Sequence, residues 1–548
     1  MRKYIIISLI AVASVFATSC KGFLETAPTS DVSDDQVFTS VKGAQAALNG
    51  CYYHFNFGAI YDNRGDDNGY MTHLMTIDAR GEDLICDGGW WNFDYQFLPA
   101  YNMANSWKNY SLWSFYYTLI NNLNSIITYT PDIDGDETGK KEVLGQAYAL
   151  RGWSYFMLAQ FFQQTYTSAK KNNLPGVPIY TEPTTSSTVG KGRGTIEETY
   201  NQILSDLKAA EENIATFNRS SKHYVDLSVV QGMLAHVYLV MNEWGEAKAY
   251  AAKARSGYEM TSNDNWTEGF NNLNTGSWLW GVKQDTEHHW LNTGDYSPFG
   301  QWANKIGRGA HDAHWSFNGF WLAQDFVDLF EEGDIRSNCF LYSNDKSAWS
   351  SSKFYDVITC SEHGHASDPV LYATLSKLFS SREDYQAEMK KTKEDDKMSK
   401  TYGFLQSTFS GRDNQTANFP YMRSEDLLLI EAEAAARLGD YEYAGELLRS
   451  LQTLRGASTS TSIGDDLIEE ILIERRKELY GEGYACFDIL RTHKGLVRGG
   501  DHQGHTGAVQ KAPGSWSLVY QIPTTEITNN PNIDSSDQNP YDTVLENL

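Results

Sequence analysis

Residues 431–448, EAEAAARLGDYEYAGELL, decide the fold. Ala432, Ala435 and Ala436 recur at helical spacing, Gly439-Asp440 interrupts the run, Tyr441 follows, and Ala444 stands near the start of a second helical run. The same order appears earlier: Ala235, Tyr238 and Leu239, then Asn242-Glu243, then Trp244 and Ala247. From Ala235 to Ala432, and again from Ala247 to Ala444, the offset is 197 residues. Helix, short polar turn, aromatic, helix is the hairpin unit of tetratricopeptide-like solenoids, whose small residues let paired helices approach closely. The two copies are far apart in sequence, so the expectation is a scattered helical-repeat core and not a clean tandem array.

Working outward, Leu112, Phe115, Leu119, Leu123 and Ile126 step by three or four residues, as do Val143, Ala147, Leu150, Ser154, Met157 and Phe161. Both runs are apolar around much of their girth, which predicts helices buried on more than one side. Pro175, Pro178 and Pro183 mark a loop after them, and Thr195 with Glu198 has the spacing of a capping box opening another helix. Between 261 and 420 the periodicity fades into Gly, Asn, Ser and aromatics. The predicted fold class is therefore mostly α: a tetratricopeptide-like helical-repeat body with a variable loop-rich insertion. Loops carried on a rigid scaffold are where binding residues tend to lie. The mixed-charge run 381–400 reads as a solvated helix or loop.

The 548 residues hold 70 Asp and Glu against 45 Lys and Arg, a formal charge of −25. That charge disfavours nucleic acid as a partner. At the N-terminus, Arg2-Lys3 precedes the apolar stretch 4–16, which has the length of a signal peptide's apolar core and is short for a membrane span. Ala17-Thr18-Ser19 and then Cys20 resemble the cleavage and lipidation site of bacterial lipoproteins; the alternative is an ordinary signal peptide with Cys20 incidental. The six cysteines form no C-x-x-C and no dense pattern, so neither a disulfide framework nor a zinc ribbon is expected; one bridge, such as Cys339 with Cys360, stays open.

The search for chemistry returns little that is catalytic. His288-His289, His311/His314, His363/His365 and His502/His505 are pairs without a third ligand in view. Gly190-Lys191-Gly192-Arg193-Gly194 is not a Walker loop and reads as a basic flexible loop. No G-x-S-x-G is present, and nothing selects one pair of carboxylates among seventy acids for glycoside hydrolysis. The aromatics are more informative: 15 Trp, 33 Tyr and 25 Phe. Asp87-Gly88-Gly89-Trp90-Trp91-Asn92 places two indoles after a diglycine, next to an acid and an amide. Trp266, Trp278, Trp280, Trp290, Tyr296, Trp302, Trp315 and Trp321 follow among Asn, Gln, His, Asp and Arg. A sugar offers a flat C–H face and a rim of hydroxyls, which rings and amides can grip together, each ring contributing on the order of 1 kcal/mol. The competing reading is that these rings fill the core of a loop-rich region.

Several segments resemble one family. Residues 419–434, FPYMRSEDLLLIEAEA, are followed by Leu451, Leu454 and Arg455, then by ERRKELYGEG (474–483) with Asp488 and Arg491. The tail adds Ile522-Pro523, Asn530-Pro531-Asn532 and Gln538-Asn539-Pro540; upstream stand Arg151, Tyr155, Phe156, Leu158 and Gly176-Val177-Pro178. Together with Cys20 this pattern is similar to the SusD/RagB lipoproteins along essentially the whole chain. The resemblance implies a non-enzymatic, cell-surface protein, lipid-anchored in the outer membrane, that captures an oligosaccharide and works with a SusC-like TonB-dependent transporter. It implies no cofactor, with a structural calcium left open, and no catalytic or metal-ligating residue. The implied parts are a signal peptide (1–19), lipidated Cys20 with a tether (20–40), an N-terminal helical part (41–260), the ligand region (261–420) and a C-terminal helical part (421–548). Trp90 and Trp91 match part of the family's glycan-binding arc, although the starch binder has Trp-x-Trp where this chain has adjacent Trp. Asp87 and Asn92 are candidates beside them; Trp290, Tyr296, Trp302 and Trp315 are candidates by composition alone. The alternatives are a surface binder of peptides or another non-sugar nutrient, and a glycoside hydrolase. Arg423, Glu425, Glu431, Glu433, Arg475, Arg476 and Glu478 fall on apolar helices, so ion pairs tying helices together are expected of them.

Overall fold

A computed structural model describes residues 37–60, 67, 69–86, 94–97, 102–167, 172–268, 272–283, 320–336, 340–343, 400–404, 418–499, 502 and 509–541. The described part is mostly helical. Helices α1 (Val41–Phe57) and α2 (Gly69–Ala79) precede strand β1 (Leu84–Cys86), and the long pair α3 (Trp107–Tyr129) and α4 (Glu137–Phe162) follows. Ser106 caps α3 and Asp136 caps α4, each side chain accepting from two first-turn N–H groups. The apolar positions of both helices named above are buried, and α4 packs against α1, α3 and α5 (Ile196–Ile214), which explains its apolar girth. The capping box of α5 forms as its spacing predicts: Thr195 Oγ1 accepts from Glu198 N at 3.1 Å, and Glu198 Oε2 from Thr195 N at 2.8 Å.

The two repeated stretches are helical hairpins, as their spacing predicts. The first comprises α6 (Leu227–Met241) and α7 (Trp244–Ala254). The chain then runs through α8 (Asn263–Glu268), β2 (Trp278–Val282), β3 (Phe320–Leu322), α9 (Gln324–Val327), β4 (Phe340–Ser343), β5 (Lys400–Phe404) and β6 (Phe419–Arg423). The second hairpin comprises α10 (Ser424–Arg437) and α11 (Tyr441–Arg455), with α12 (Asp465–Leu479) and α13 (Ala485–Thr492) beyond it. The hairpin turns use left-handed residues, Asn242 at φ 61° and Gly439 at φ 85°. Distant in sequence, the copies are consecutive in space: α7 packs on α10, so the second hairpin takes the next place in the stack. The intervening excursion is closed by antiparallel pairing of β2 with β6, Trp278 opposite Arg423.

Three of the aromatics considered for ligand contact are core instead. Trp266, Trp278 and Trp280 are at most 1% exposed. Trp280 stacks on Phe55 (5.3 Å) and meets Tyr421 edge-on (5.1 Å), while the guanidiniums of Arg455 and Arg423 lie over the Trp266 ring at 4.6 and 5.6 Å. The Gly190–Gly194 segment is also not the flexible loop expected of it. Arg193 donates to the backbone oxygens of Gly176 (2.6 Å), Pro175 (3.1 Å) and Asp537 (2.6 Å) and to Asn539 Oδ1 (2.9 Å), pinning the C-terminal tail to the body.

The charged motif residues form the expected ion pairs. Glu478 accepts from Arg455 (2.8 and 3.0 Å) and from Arg336 (3.0 Å), with Arg423 at 3.4 Å. Arg336 also reaches Asp334 (2.7 Å) and Glu474 (2.6 Å), and Arg423 reaches Glu425 at 3.0 Å. A neighbouring cluster joins His236 and Arg475 to Asp426, both at 2.7 Å, Arg475 and Arg491 to Asp488, and Arg491 to Glu433. Isolated buried charges are costly, so such groups persist only when each finds partners. Several of these contacts join different elements, α11 to α12 through Arg455–Glu478 and α10 to α12 through Asp426–Arg475, which fixes how those helices sit on one another.

Candidate functional site

The candidate residues Asp87, Trp90, Trp91, Asn92, Trp290, Tyr296, Trp302 and Trp315, and the lipidation candidate Cys20, lie outside the described residues. So do His288-His289, His311/His314, His363/His365, His505 and the Cys339–Cys360 pair. What the structure does describe is the frame from which the two aromatic stretches depart. β1 pairs antiparallel with β3, Leu84 opposite Leu322 and Cys86 opposite Phe320. The chain therefore leaves β1 towards residue 87 at the same end of the sheet at which it enters β3 from residue 319. Nothing in the sequence signalled this pairing, because three-residue strands carry no periodic pattern.

Both feet of the 87–93 segment are held. On the near side Ala323 N donates to Asp83 O at 2.9 Å, and Asp83 pairs with Arg476. On the far side Asp94 and Tyr95 are sealed: Asp94 Oδ1 accepts from Tyr520 Oη at 2.5 Å, and Tyr95 Oη lies 2.8 Å from His502 Nδ1. Burial holds the Asp94 carboxyl above the usual carboxylate range, while Lys108 and Arg80 oppose that shift. His502 Nε2 lies 3.0 Å from Glu82 O, so this histidine is a hydrogen-bonded core group. Arg80 donates to Asn102 Oδ1 (2.6 Å) and to the carbonyls of Ser517 and Leu518, tying the end of α2 to the tail.

Among the described residues, no three His, Cys, Asp or Glu side chains are grouped to hold a metal ion, and no helix is long and apolar enough to cross a membrane. Buried Asp206, Asp334, Glu425, Asp426, Glu433 and Glu478 are engaged by arginines, lysines or His236 of the chain itself, and Asp78 by the N–H groups of Gly483 and Ala485.

The sequence reading missed one concavity. A cleft of about 500 Å³ runs along α3, lined on the helix by Tyr110, Trp113, Ser114, Tyr117, Asn121 and Asn122. Its opposite wall is the 180–190 segment, with Glu526 at one side. Tyr110, Ser114, Tyr117 and Asn121 recur at helical spacing, a polar-aromatic stripe beside the apolar face read from Leu112 and Phe115.

Comparison with known proteins agrees with this architecture. Residues 68–239 match the family model described as "Starch-binding associating with outer membrane", and residues 277–541 match the model of the SusD family. A SusD-like protein of Formosa agariphila is 26% identical over 526 residues, covering 92% of this chain and 95% of that protein. The crystal structure of a SusD-like carbohydrate binding protein from Bacteroides vulgatus superposes with a TM-score of 0.70 at 26% identity, covering 92% of this chain and 99% of that one. A laminarin binding SusD-like protein shares the fold at a TM-score of 0.63 and 21% identity, covering 92% and 99%. The chain belongs to the SusD/RagB family, with its mostly helical, tetratricopeptide-like fold.

Proposed function

We propose that this protein is a non-catalytic, cell-surface glycan-binding lipoprotein that captures oligosaccharide and hands it to a SusC-like TonB-dependent transporter. In this reading residues 1–19 are a signal peptide, Cys20 carries the lipid anchor in the outer membrane, and the sugar meets aromatics of the 87–93 segment and the 261–420 region. The observation that carries it is the likeness to the Bacteroides vulgatus carbohydrate binding protein over 92% of the chain. The laminarin-binding relative adds a second family member whose ligand is a glycan. The pairing of Cys86 with Phe320 supports this reading, because the chain leaves towards residue 87 and returns from residue 319 at one end of that sheet. The burial of Arg423, Glu425, Arg475 and Glu478 supports reading these charged motifs as scaffold.

The test is an array of oligosaccharides and peptides probed with the purified protein, combined with an assay for new reducing ends. Binding of a glycan without its cleavage is the expected result. Binding to peptides alone would transfer the role to another nutrient, and release of reducing ends would establish a hydrolase.

A further inference from the structure

We infer that the cleft along α3 is a second saccharide-binding site, separate from the 87–93 and 261–420 stretches, for a neutral oligosaccharide. Its described lining comes from α3, the 180–190 segment and Glu526. The proposal rests on the preceding reading only in the class of ligand.

Volume is the first ground. About 500 Å³ lies within the range of small-ligand sites, roughly 300–1,000 Å³. The second ground is chemical. Tyr110 is exposed, Tyr117 and Tyr180 are half-buried, and Trp113 is buried beneath them, so the cleft presents ring surface over an apolar floor. Around these rings stand hydrogen-bonding groups that the fold leaves unused. Tyr110 Oη, Ser114 Oγ, Thr118 Oγ1 and the Asn122 amide make no hydrogen bond to the chain. Asn121 spends its Oδ1 on Thr184, accepting from N at 2.7 Å and from Oγ1 at 2.9 Å, and keeps its Nδ2 free. Rings beside unspent hydroxyls and amides match a pyranose, which has an apolar face and a polar rim.

Charge narrows the class. Among the described residues, no lysine or arginine side chain lines the cleft, and Glu526 is the one charged group that does. With the Lys191 ammonium over the Tyr180 ring already spent on Ile179 O at 2.9 Å, sulfated, phosphorylated or uronic sugars would meet that carboxylate. A neutral sugar can instead donate hydroxyls to it.

The walls are rigid as well. Asn124 Nδ2 donates to the carbonyls of Tyr180 (3.1 Å) and Glu182 (3.0 Å), and Tyr117 Oη donates to Pro178 O at 2.8 Å. Asn124 is itself held by Arg151 (2.7 Å), which pairs with Asp206. A site fixed in advance loses little ordering entropy on binding.

The experiment is calorimetric titration of the full chain in detergent with maltohexaose, laminarihexaose, cellohexaose and mannohexaose. Two backgrounds are used, the native chain and Trp90→Ala with Trp91→Ala. Into each go Tyr110→Ala with Asn122→Ala, or Thr118→Arg alone, all at exposed positions, with the unfolding temperature checked. At least one sugar is expected to bind the tryptophan-pair variant, and either cleft change should weaken that binding by about tenfold. Affinities equal within about twofold with and without the cleft changes would overturn the second site and leave the loop site standing. So would complete loss of binding in the tryptophan-pair variant. Binding abolished by the cleft changes but untouched by the tryptophan pair would keep this site and remove the other. A native chain that binds none of the four sugars would overturn both.

Discussion

Arg423 and Glu482 face each other as a two-pronged pair closed off from water, with Nη2 2.7 Å from Oε1 and Nε 2.9 Å from Oε2. The arginine ends β6 and the glutamate lies in the turn after α12, so one contact joins the closing strand of the excursion to the turn between α12 and α13. Removing one partner leaves a buried cation short of its counter-charge. Glu482→Ala is therefore expected to cost about 3–5 kcal/mol in urea unfolding. A loss below about 1 kcal/mol would show that Glu425 and Glu478 suffice for Arg423.

The same glutamate sets a pH dependence. Burial, helped by repulsion from Glu478 and Glu425, pushes its carboxyl from 4.5 up to about 7, and burial pushes Asp78 from 3.8 up to about 7. A raised folded-state pKa means that the native state holds the proton more tightly, so these groups stabilise most below the unfolded value and lose that contribution as pH rises through about 7. Asp334, Glu478 and Asp488 are held below their ordinary values against the cost of burial, by Arg336, Arg455 and Arg475 respectively, and their contribution is lost in acid. Stability should peak near pH 4.5, and the urea midpoint should fall from there towards pH 8, less steeply in Glu482→Gln. A midpoint that climbs from pH 6 to pH 8 contradicts this.

Arg193 fastens the tail by donating to Asp537 O and Asn539 Oδ1 while it also donates to the body carbonyls of Gly176 and Pro175. Its replacement by Met keeps the stem and removes the donors. The expected cost is about 2–4 kcal/mol, with hydrogen exchange across residues 520–541 accelerated more than exchange in α4. Uniform acceleration in both would mean that the tail is not a separate unit.

Cys51 and Cys486 are free and buried. Burial pushes the Cys51 thiol up to about 12 and raises that of Cys486 as well. Neither should react with maleimide in the native protein near neutral pH, and both should react in denaturant. Native-state labelling mapped to either residue by mass spectrometry would contradict the packing of α1 or α13.

Replacing Trp90 and Trp91 together by Ala should weaken glycan binding by about tenfold or more while leaving the unfolding temperature nearly unchanged. A collapse of stability would instead place the two indoles in the core.

What the sequence by itself determined is local. Helix positions, the Thr195–Glu198 cap and the hairpin turns at Asn242 and Gly439 depend on residues within about four positions of one another, so spacing reveals them. The order of family motifs likewise identified the architecture and marked the arginines and glutamates as scaffold, because a charge on an apolar helix demands a partner. Only the tertiary structure decided who the partners are. Glu478 collects guanidiniums from positions 336, 423 and 455, α7 finds α10 across the long excursion, and Cys86 lands opposite Phe320. The same holds for the indoles, since residue type does not say whether a ring faces core or water. Trp266, Trp278 and Trp280 went inside, while the α3 cleft took its opposite wall from a segment distant along the chain. Such contacts arise from closing long loops and sharing one packed interior, and no local pattern records them.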